Sequence, residues 1–309
     1  MYLLIVNPQA GNGRADRLFE SIQRDPLFKE KNCRTFRTAY KGHAEKLAEQ
    51  IAEIHHEHVQ CIIVVGGDGT LHEVVNGLRH YPAIPVALIP TGSGNDFSRG
   101  IKSKLKGVRL FRKIVQNPKR LSVHIGNYVT NGRYKHGNRL FVNSVGFGLD
   151  GALVELANKH QFRKWIKRLH LHPYIYPIAL LPVLRTFEPI NIEIYIDGNK
   201  EETERATLVA VTNHAYYGGG MKIAPQANIK KKRFSVTIID PLPKWKLILF
   251  FVTVFLGKHT LLKEVRVMEA ETFKITSKQA IPYQVDGQAS HCFQSVLSKT
   301  EKTRMVYWS

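Results

Sequence analysis

Val64-Val65-Gly66-Gly67-Asp68-Gly69-Thr70-Leu71-His72-Glu73 and Pro90-Thr91-Gly92-Ser93-Gly94-Asn95-Asp96-Phe97 are the two stretches whose reading decides the fold. Each follows a short apolar run, residues 61–65 and 86–89, that reads as a buried parallel strand. Glycines there let the backbone approach a ligand closely, and successive amide groups at a helix start make an anion cradle. Thr70 and Glu73 stand at capping-box spacing, so the first turn is expected to open directly into a helix. One glycine-rich turn alone is more often only a tight connection. Two of them, each after a strand and each carrying an acidic residue, point to a bound polyphosphate. Asp68 sharpens the point, because a carboxylate inside an anion cradle repels phosphate unless a cation such as Mg2+ lies between them.

Working outward, the first 120 or so residues alternate strand-like and helix-like patterns. A strand over 2–7 leads to a helix near 14–25. A strand near 33–39 leads to a helix near 43–57, where Ala44, Leu47, Ile51 and Ile54 repeat at helical spacing. After the two turns comes a helix near 108–117, ending before Pro118. Alternating β and α elements predict a doubly wound parallel sheet with helices on both faces. Past residue 122 the texture changes. Residues 190–196 alternate with period two and run into Asp197-Gly198, read as an ordinary hairpin turn. Further strand-like stretches lie at 208–212, 234–239, 265–268 and 273–276, so this half reads as antiparallel β with two helical excursions. The fold class is α/β, with a domain boundary near 120–125 and a ligand cleft expected between the domains.

Composition narrows the functional classes. The chain has 309 residues, of which 43% are hydrophobic, enough for two cored domains. No run reaches the ~18 apolar residues needed to span a bilayer. Met1 runs straight into Tyr2-Leu3-Leu4-Ile5-Val6-Asn7-Pro8, which reads as a first strand rather than a signal peptide. Cys33, Cys61 and Cys292 form no metal-like spacing, and their odd number argues against a disulfide framework, so the expected address is cytoplasmic. With 45 Lys and Arg against 25 Asp and Glu, the net charge is +20, which favours an anionic partner such as nucleic acid or the inner membrane surface. No nucleic-acid module or aromatic platform accompanies that charge, so nucleic acid is not the expected partner.

Taken together, Gly66-Gly67-Asp68-Gly69-Thr70 with Glu73, and Pro90-x-Gly92-Ser93-x-Asn95-Asp96-Phe97, resemble the diacylglycerol kinase catalytic family, in its soluble bacterial lipid kinase branch. The resemblance covers nearly the whole chain. It extends from Asn7-Pro8-x-x-Gly11 through Thr38 to Asn213, Gly218-Gly219-Gly220 and Val285-Asp286-Gly287. It implies a relationship to sphingosine and ceramide kinases and, more widely, to the NAD kinase and phosphofructokinase folds. It also implies a nucleotide domain over 1–122, rejoined by 296–309, and a β-sandwich lipid-substrate domain over 123–295. The implied reaction moves the γ-phosphate of ATP, with Mg2+, onto the hydroxyl of diacylglycerol or a similar lipid alcohol. By the same resemblance Gly66, Gly67, Asp68, Gly69 and Thr70 wrap the ATP phosphates, Glu73 belongs to that set, and Asp68 helps hold Mg2+ directly or through water. Asn7, Thr38 and Ser93 line the nucleotide site, and Asp286 is the general base. By itself Asp286-Gly287 reads as a turn.

The chain departs from the family pattern twice. Gln288 stands where the family has Glu after the catalytic Asp-Gly, and Lys231-Lys232 align with an upstream Asp-Gly that serves an accessory metal. An accessory metal site is therefore expected to be lost at Lys231 and Gln288. Lys231 then either supplies a fixed positive charge in its place or simply faces solvent or lipid. Two further functions stay open, a kinase for another hydroxylated lipid and a weakly active or inactive nucleotide- and lipid-binding regulator.

Three apolar or basic stretches complete the reading. Residues 159–172 combine Lys159, Arg163, Lys164, Lys167 and Arg168 with an apolar stripe of Phe162, Trp165, Ile166 and Leu169. Such a helix docks either on an anionic membrane or on the protein's own core. Pro173, Pro177 and Pro182 are expected to break the apolar segment 174–184, which reads either as a cover for a lipid pocket or as ordinary packing. The most apolar run, 245–256, is too short to span a bilayer and fits a buried or an interfacial helix, or one wall of an acyl-chain pocket; core packing is the expected reading. His55, His56 and His58 read as a solvated helix end rather than a metal site. The implied location is cytoplasmic and peripheral at the inner membrane face.

Overall fold

A computed structural model describes residues 1–92, 94–132, 138–168 and 175–309 of the chain. It divides into two compact units. The first joins residues 1–125 to 300–309, and the second spans 126–299. The boundaries fall at 125/126, where the first strand of the second unit begins at Gly126, and at 299/300, where its last strand ends at Lys299.

In the first unit the order is β1 (Tyr2–Val6), α1 (Arg14–Gln23), α2 (Pro26–Glu30), β2 (Cys33–Arg37), α3 (His43–His55), β3 (Cys61–Gly66), α4 (Asp68–Gly77), β4 (Val86–Pro90), α5 (Asp96–Gly100), α6 (Gly107–Gln116) and β5 (Lys119–Val123). The C-terminal strand β18 (Arg304–Trp308) completes it. The sheet order is β2-β1-β3-β4-β18-β5, parallel except for β5. Every residue of β1 and β3 is buried, as strands covered on both faces require. Tyr2, Leu4 and Val6 pack with Ala15, Phe19 and Ile22 of α1 and Leu110, Phe111 and Ile114 of α6. Leu3 and Ile5 point to the opposite face, where α3 and α4 lie. The chain leaves β1 on one side to form β2 and returns past it to form β3. This reversal opens a crevice at the C-terminal ends of β1 and β3, the place where doubly wound sheets take ligands.

The second unit contains β6 (Gly126–Thr130), β7 (Arg139–Phe141), β8 (Ser144–Gly148), α7 (Leu149–Asn158), α8 (His160–Arg168), α9 (Ile175–Thr186), β9 (Ile190–Asn191), β10 (Glu193–Ile196), β11 (Asn199–Lys200), β12 (Arg205–Ala206), β13 (Leu208–Thr212), β14 (Phe234–Ile239), α10 (Lys244–Leu256), β15 (Val265–Ala270), β16 (Thr272–Val285) and β17 (Gln288–Lys299). Its main sheet is antiparallel, in the order β15-β14-β13-β8-β16-β17-β6-β7. Although β7 and β14 stand near opposite ends of that order, Phe141 stacks on Phe234 with ring centroids 5.5 Å apart. The sheet therefore curls over itself into a sandwich. The strand expected at 273–276 is the start of the 14-residue β16, which pairs with β10 along its first half and β8 along its last. A register shift between Thr276 and Ile281 accompanies the change of partner.

Two expectations need correction. The proline-rich segment is not broken within the described residues: α9 runs through Pro182, and Pro177 lies in its first turn, where a missing amide costs nothing. Pro173 and Tyr174 lie outside the described residues. The run 245–256 is only half core, because α10 buries Leu247, Phe250, Phe251 and Val254 and exposes the rest of its apolar side chains.

Arg304 ties the C-terminal strand into the first unit. Its guanidinium donates to the carbonyls of Leu78, Tyr81 and Ile84, just past the end of α4. The side chain is buried and faces the negative end of the helix dipole. The carbonyls of Leu78 and Tyr81 also accept the amides of Tyr81 and Ile84. Arg304→Met therefore removes three charge-assisted bonds and deprives Ile84 O of its guanidinium donor. It is expected to destabilise the chain by about 2 kcal/mol, read from urea or thermal unfolding.

Candidate active site

The site in the first unit is built where three loops meet at the C-terminal edge of its sheet. Asn7 follows β1 and crosses the crevice, its amide donating to Val65 O at 3.0 Å and its Nδ2 to Thr70 Oγ1 at 3.1 Å. Thr38 follows β2, and its amide donates to Val6 O at 2.9 Å, which places it at the same edge. Thr91 donates to Gly66 O at 2.8 Å, joining the second glycine turn to the first. The joint is tight: a Cβ on Gly92 would lie 3.0 Å from the Gly67 Cα. The loop after β1 closes on it as well. Gly11 has φ +62°, and a Cβ there would lie 2.0 Å from Thr91 O, so only glycine fits. Ser93 lies outside the described residues.

Asp68 opens α4, and its carboxylate accepts the amides of Asp96 at 2.9 Å and Phe97 at 3.1 Å. The acid inside the cradle thus holds the start of α5 and locks the two turns together. The capping box is not formed. Gly67 is the N-cap, α4 carries no side-chain cap, and the Thr70 hydroxyl accepts from Asn7. Glu73 instead accepts the amides of Gly42 at 2.9 Å and Ala44 at 3.2 Å, capping α3 from a neighbouring helix. Both of its oxygens face that helix end, away from the role in phosphate wrapping that the sequence suggested. Asn7, Gly66, Gly67, Asp68, Gly69 and Thr70 are assembled around an uncapped helix N-terminus, a place that favours an anion by amide direction and dipole. Gly11, Thr91 and Asp96 belong to the same constellation.

In the second unit, Asp286-Gly287 is the two-residue turn between β16 and β17, with φ of 46° and 85° and Val285 paired to Gln288. Asp197-Gly198 joins β10 to β11 with φ of 49° and 87°. The two turns share one backbone geometry, with positive φ at both central residues. They share a device too. The Asp197 carboxylate accepts the amides of Glu271 and Thr272, and the Asp286 carboxylate accepts those of Val142, Asn143 and Ser144 at 2.8–3.0 Å. They differ in surroundings, since Asp197 is exposed and Asp286 is only 9% exposed.

A buried polar network surrounds Asp286. Gln284 donates to Asp150 Oδ2 and Ser144 Oγ and accepts from the Gly287 amide, so it braces the turn. Asn213 donates to Phe141 O and Val142 O and accepts from Lys299 Nζ, which also lies 4.8 Å from the Phe234 ring centroid. His214 Nε2 lies 2.8 Å from Asn143 Oδ1, and its Nδ1 accepts from the Tyr216 amide, so the neutral ring carries its proton on Nε2. Burial pushes the Asp150 carboxyl up to about 7, against the Gln284 hydrogen bond, and lowers Lys299 to about 7. Burial also brings His214 down to about 4, with Asp286 opposing the shift and Lys299 adding to it. Asn213 was visible in the sequence as part of a motif; Lys299, Asp150 and Gln284 carried no local signal.

Lys231 forms an ion pair with Glu269 at 2.5 Å, and Arg233 pairs with Glu271 and Asp197. The ammonium is thus balanced by a carboxylate of this chain. Gln288 begins β17 opposite Val285. A cavity of about 200 Å3 lies against α10, lined by Leu184, Phe187, Leu242 and Leu247 together with Glu188 and Lys244. In α8, Ile166 is buried and Phe162 packs on the core, so the protein itself covers these parts of the basic helix's stripe. Leu169 lies outside the described residues.

The fold and the glycine turns define a class, and comparison with known proteins specifies it. Residues 1–126 match the diacylglycerol kinase catalytic domain, and residues 143–295 match the YegS C-terminal NAD kinase beta sandwich-like domain. The Bacillus subtilis protein named "Putative lipid kinase YtlR" is 34% identical over 289 residues, which cover 93% of each chain. A diacylglycerol kinase of Staphylococcus aureus is 27% identical over 291 residues, 92% of this chain and 85% of that one. A diacylglycerol kinase structure from Bacillus anthracis shares the fold with a TM-score of 0.71 at 21% identity, covering 100% of this chain and 96% of that one. An NAD kinase from Archaeoglobus fulgidus, solved with ATP, gives 0.53 at 14% identity, with 99% and 93% covered. The chain belongs to the diacylglycerol kinase family of lipid kinases.

Lys299 gives the second unit a pH signature. Between about pH 7 and the ordinary lysine value of 10.5, the unfolded chain holds this proton and the folded chain does not. Unfolding free energy therefore gains a rising contribution with pH across that window. In Lys299→Met that contribution is expected to vanish, read as a smaller change in urea midpoint between pH 7 and pH 10 than in the unsubstituted chain.

Proposed function

We propose that this chain transfers the γ-phosphate of ATP to the hydroxyl of diacylglycerol or a similar lipid alcohol. The observation that carries the reading is the uncapped N-terminus of α4 at the strand reversal, enclosed by the loops of Asn7, Gly66 and Thr91. Amides and helix dipole directed at one place suit the phosphates of a nucleotide. Asn7, Thr38 and Ser93 would line that nucleotide. Asp68 is the carboxylate placed for Mg2+, because it opens α4 beside the amides that would face the phosphates. That fits a hydrated ion carried largely by the phosphates, the usual way proteins hold Mg2+ at a nucleotide. Such an ion, when bound, neutralises charge on the phosphates.

Asp286 is assigned the proton. Three amide bonds fix its orientation, and its carboxylate would take the proton of the lipid hydroxyl as that oxygen attacks the γ-phosphorus. The bond from phosphorus to the β–γ bridging oxygen breaks, and ADP leaves. An accessory metal at Lys231 has no part in this reading, because its ion pair with Glu269 puts a balanced cation there. An acceptor with acyl chains resides in a bilayer, so the reading includes a cytoplasmic protein peripheral to an anionic membrane surface, which the +20 charge favours.

A second reading rests on the likeness of the two Asp-Gly turns, in which Asp286 locks the 142–144 backbone and does no chemistry, as Asp197 does at 271–272. Asp286→Asn separates them, since it keeps an acceptor oxygen and removes the base. Phosphorylation of dispersed diacylglycerol by labelled ATP is expected to fall by about 10²–10⁴-fold in kcat. The chain is expected to stay folded, with an unfolding temperature lowered by the loss of the Val142 amide bond, which a carboxamide nitrogen cannot accept. Turnover equal to the unsubstituted chain would overturn the base assignment, and no labelled lipid from the unsubstituted chain would overturn the kinase reading.

A further inference from the structure

Helix α10 is apolar on two opposite sides. Leu247, Phe250, Phe251 and Val254 join the core built with α7 and α9. Trp245, Ile248, Leu249, Val252, Phe255 and Leu256 are between 43% and 64% exposed, and Leu261, just beyond the helix, is 82% exposed. At 3.6 residues per turn the six exposed side chains fall within about 120° of the circumference, opposite the buried four. Among the described residues, these seven make up more than half of the exposed large hydrophobic side chains. Scattered single apolar residues are ordinary on a surface; a contiguous stripe marks a contact.

Charge selects the occupant. From residue 241 to 263 the chain has no carboxylate, while Lys244, Lys246, Lys258 and Lys263 flank the stripe. The bounding acids are engaged, Glu264 with Lys246 at 2.6 Å and Asp240 with Arg266 at 2.8 Å. Lys244, Lys258 and Lys263 are exposed. A second copy of the chain would bring the same lysines and another +20 to the contact, which opposes self-association. Thirteen residues span about 20 Å, short of the bilayer's hydrocarbon core, so such a helix lies in the plane of the interface. A flat apolar stripe with tryptophan at one end, lysines at both ends and no acids matches an anionic phospholipid surface.

We propose that the exposed face of α10, with Leu261, is the surface by which this chain inserts into an anionic bilayer, taking the acyl boundary with the stripe and the headgroups with Lys244, Lys258 and Lys263. The proposal rests on the lipid-kinase reading only in that a bilayer-resident acceptor gives such a surface its use. Flotation of the full chain with phosphatidylglycerol and phosphatidylcholine vesicles tests it. The unsubstituted chain is expected to float with phosphatidylglycerol and not with phosphatidylcholine. Val252→Asp, and separately Leu261→Asp outside the helix, are expected to weaken that binding at least tenfold without moving the unfolding temperature. The blue shift of tryptophan emission on adding vesicles is expected to be lost in Trp245→Phe. Flotation unchanged in both aspartate variants, or equal binding to the two lipids, would overturn the proposal. So would a dimer that Val252→Asp separates in a chain that binds no vesicles, which would make the stripe a subunit contact. A monomeric short-chain diacylglycerol separates surface from chemistry. Its phosphorylation at an unchanged rate in the aspartate variants is the expected result. Vesicle binding that depends on Val252, with no turnover of this substrate, would overturn the kinase reading and leave the surface standing.

Discussion

The Asp68 carboxylate accepts two amides at the start of α5, and on that contact the geometry of the first unit's site depends. Two glycine turns at a sheet edge leave backbone amides without strand or helix partners, and a buried amide needs an acceptor. Asp68 satisfies two of them from the neighbouring turn, fixing the separation of the turns. Gly92 can then pass close to Gly67, and Gly11 can seat its backbone against Thr91. What remains open is the amide-rich start of α4, where a bound anion takes the place of a capping side chain. Glu73 repeats the device at the start of α3.

The second unit uses the same chemistry at a hairpin. A two-residue turn with positive φ at both positions brings the aspartate carboxylate back over neighbouring backbone, and Asp197 and Asp286 both accept amides there. Burial separates the two. Asp197 lies in the open, whereas Asp286 sits among Asn143, His214, Gln284 and Asn213, each fixed by at least one further hydrogen bond. A low-dielectric surrounding strengthens each of these bonds and penalises any unpaired member, so the network holds one arrangement. A chain with 25 acidic residues among 45 basic ones directs several of those acids onto its own backbone amides.

The positive excess is distributed unevenly in its effect. Lys231 and Arg233, in the bend before β14, lie in surface ion pairs with Glu269 and Glu271, which screens them locally. The lysines at the start of α10 and beyond its end stand beside exposed apolar side chains. An isolated cation contributes little at a distance in salt, but cations beside a stripe that enters the headgroup region act where the membrane's own charge is concentrated.

The amino-acid sequence by itself determined the parallel sheet, the two glycine turns, the antiparallel second half and the Asp286-Gly287 turn. All of these follow from local rules: apolar runs without polar faces, glycine where backbones approach, and period-two alternation. Only the tertiary structure decided the partners. Glu73 caps a helix that begins some thirty residues earlier, Lys231 pairs with a glutamate 38 residues away, and Lys299 reaches Asn213 across 86. It also carried α9 through Pro182 and divided the apolar run 245–256 into a core face and an outer face. Local propensity sets which elements form, but a carboxylate, an ammonium or an apolar side chain takes the partner that folding brings within reach. That reach is set by packing between residues remote in the chain, and no spacing in the sequence records it.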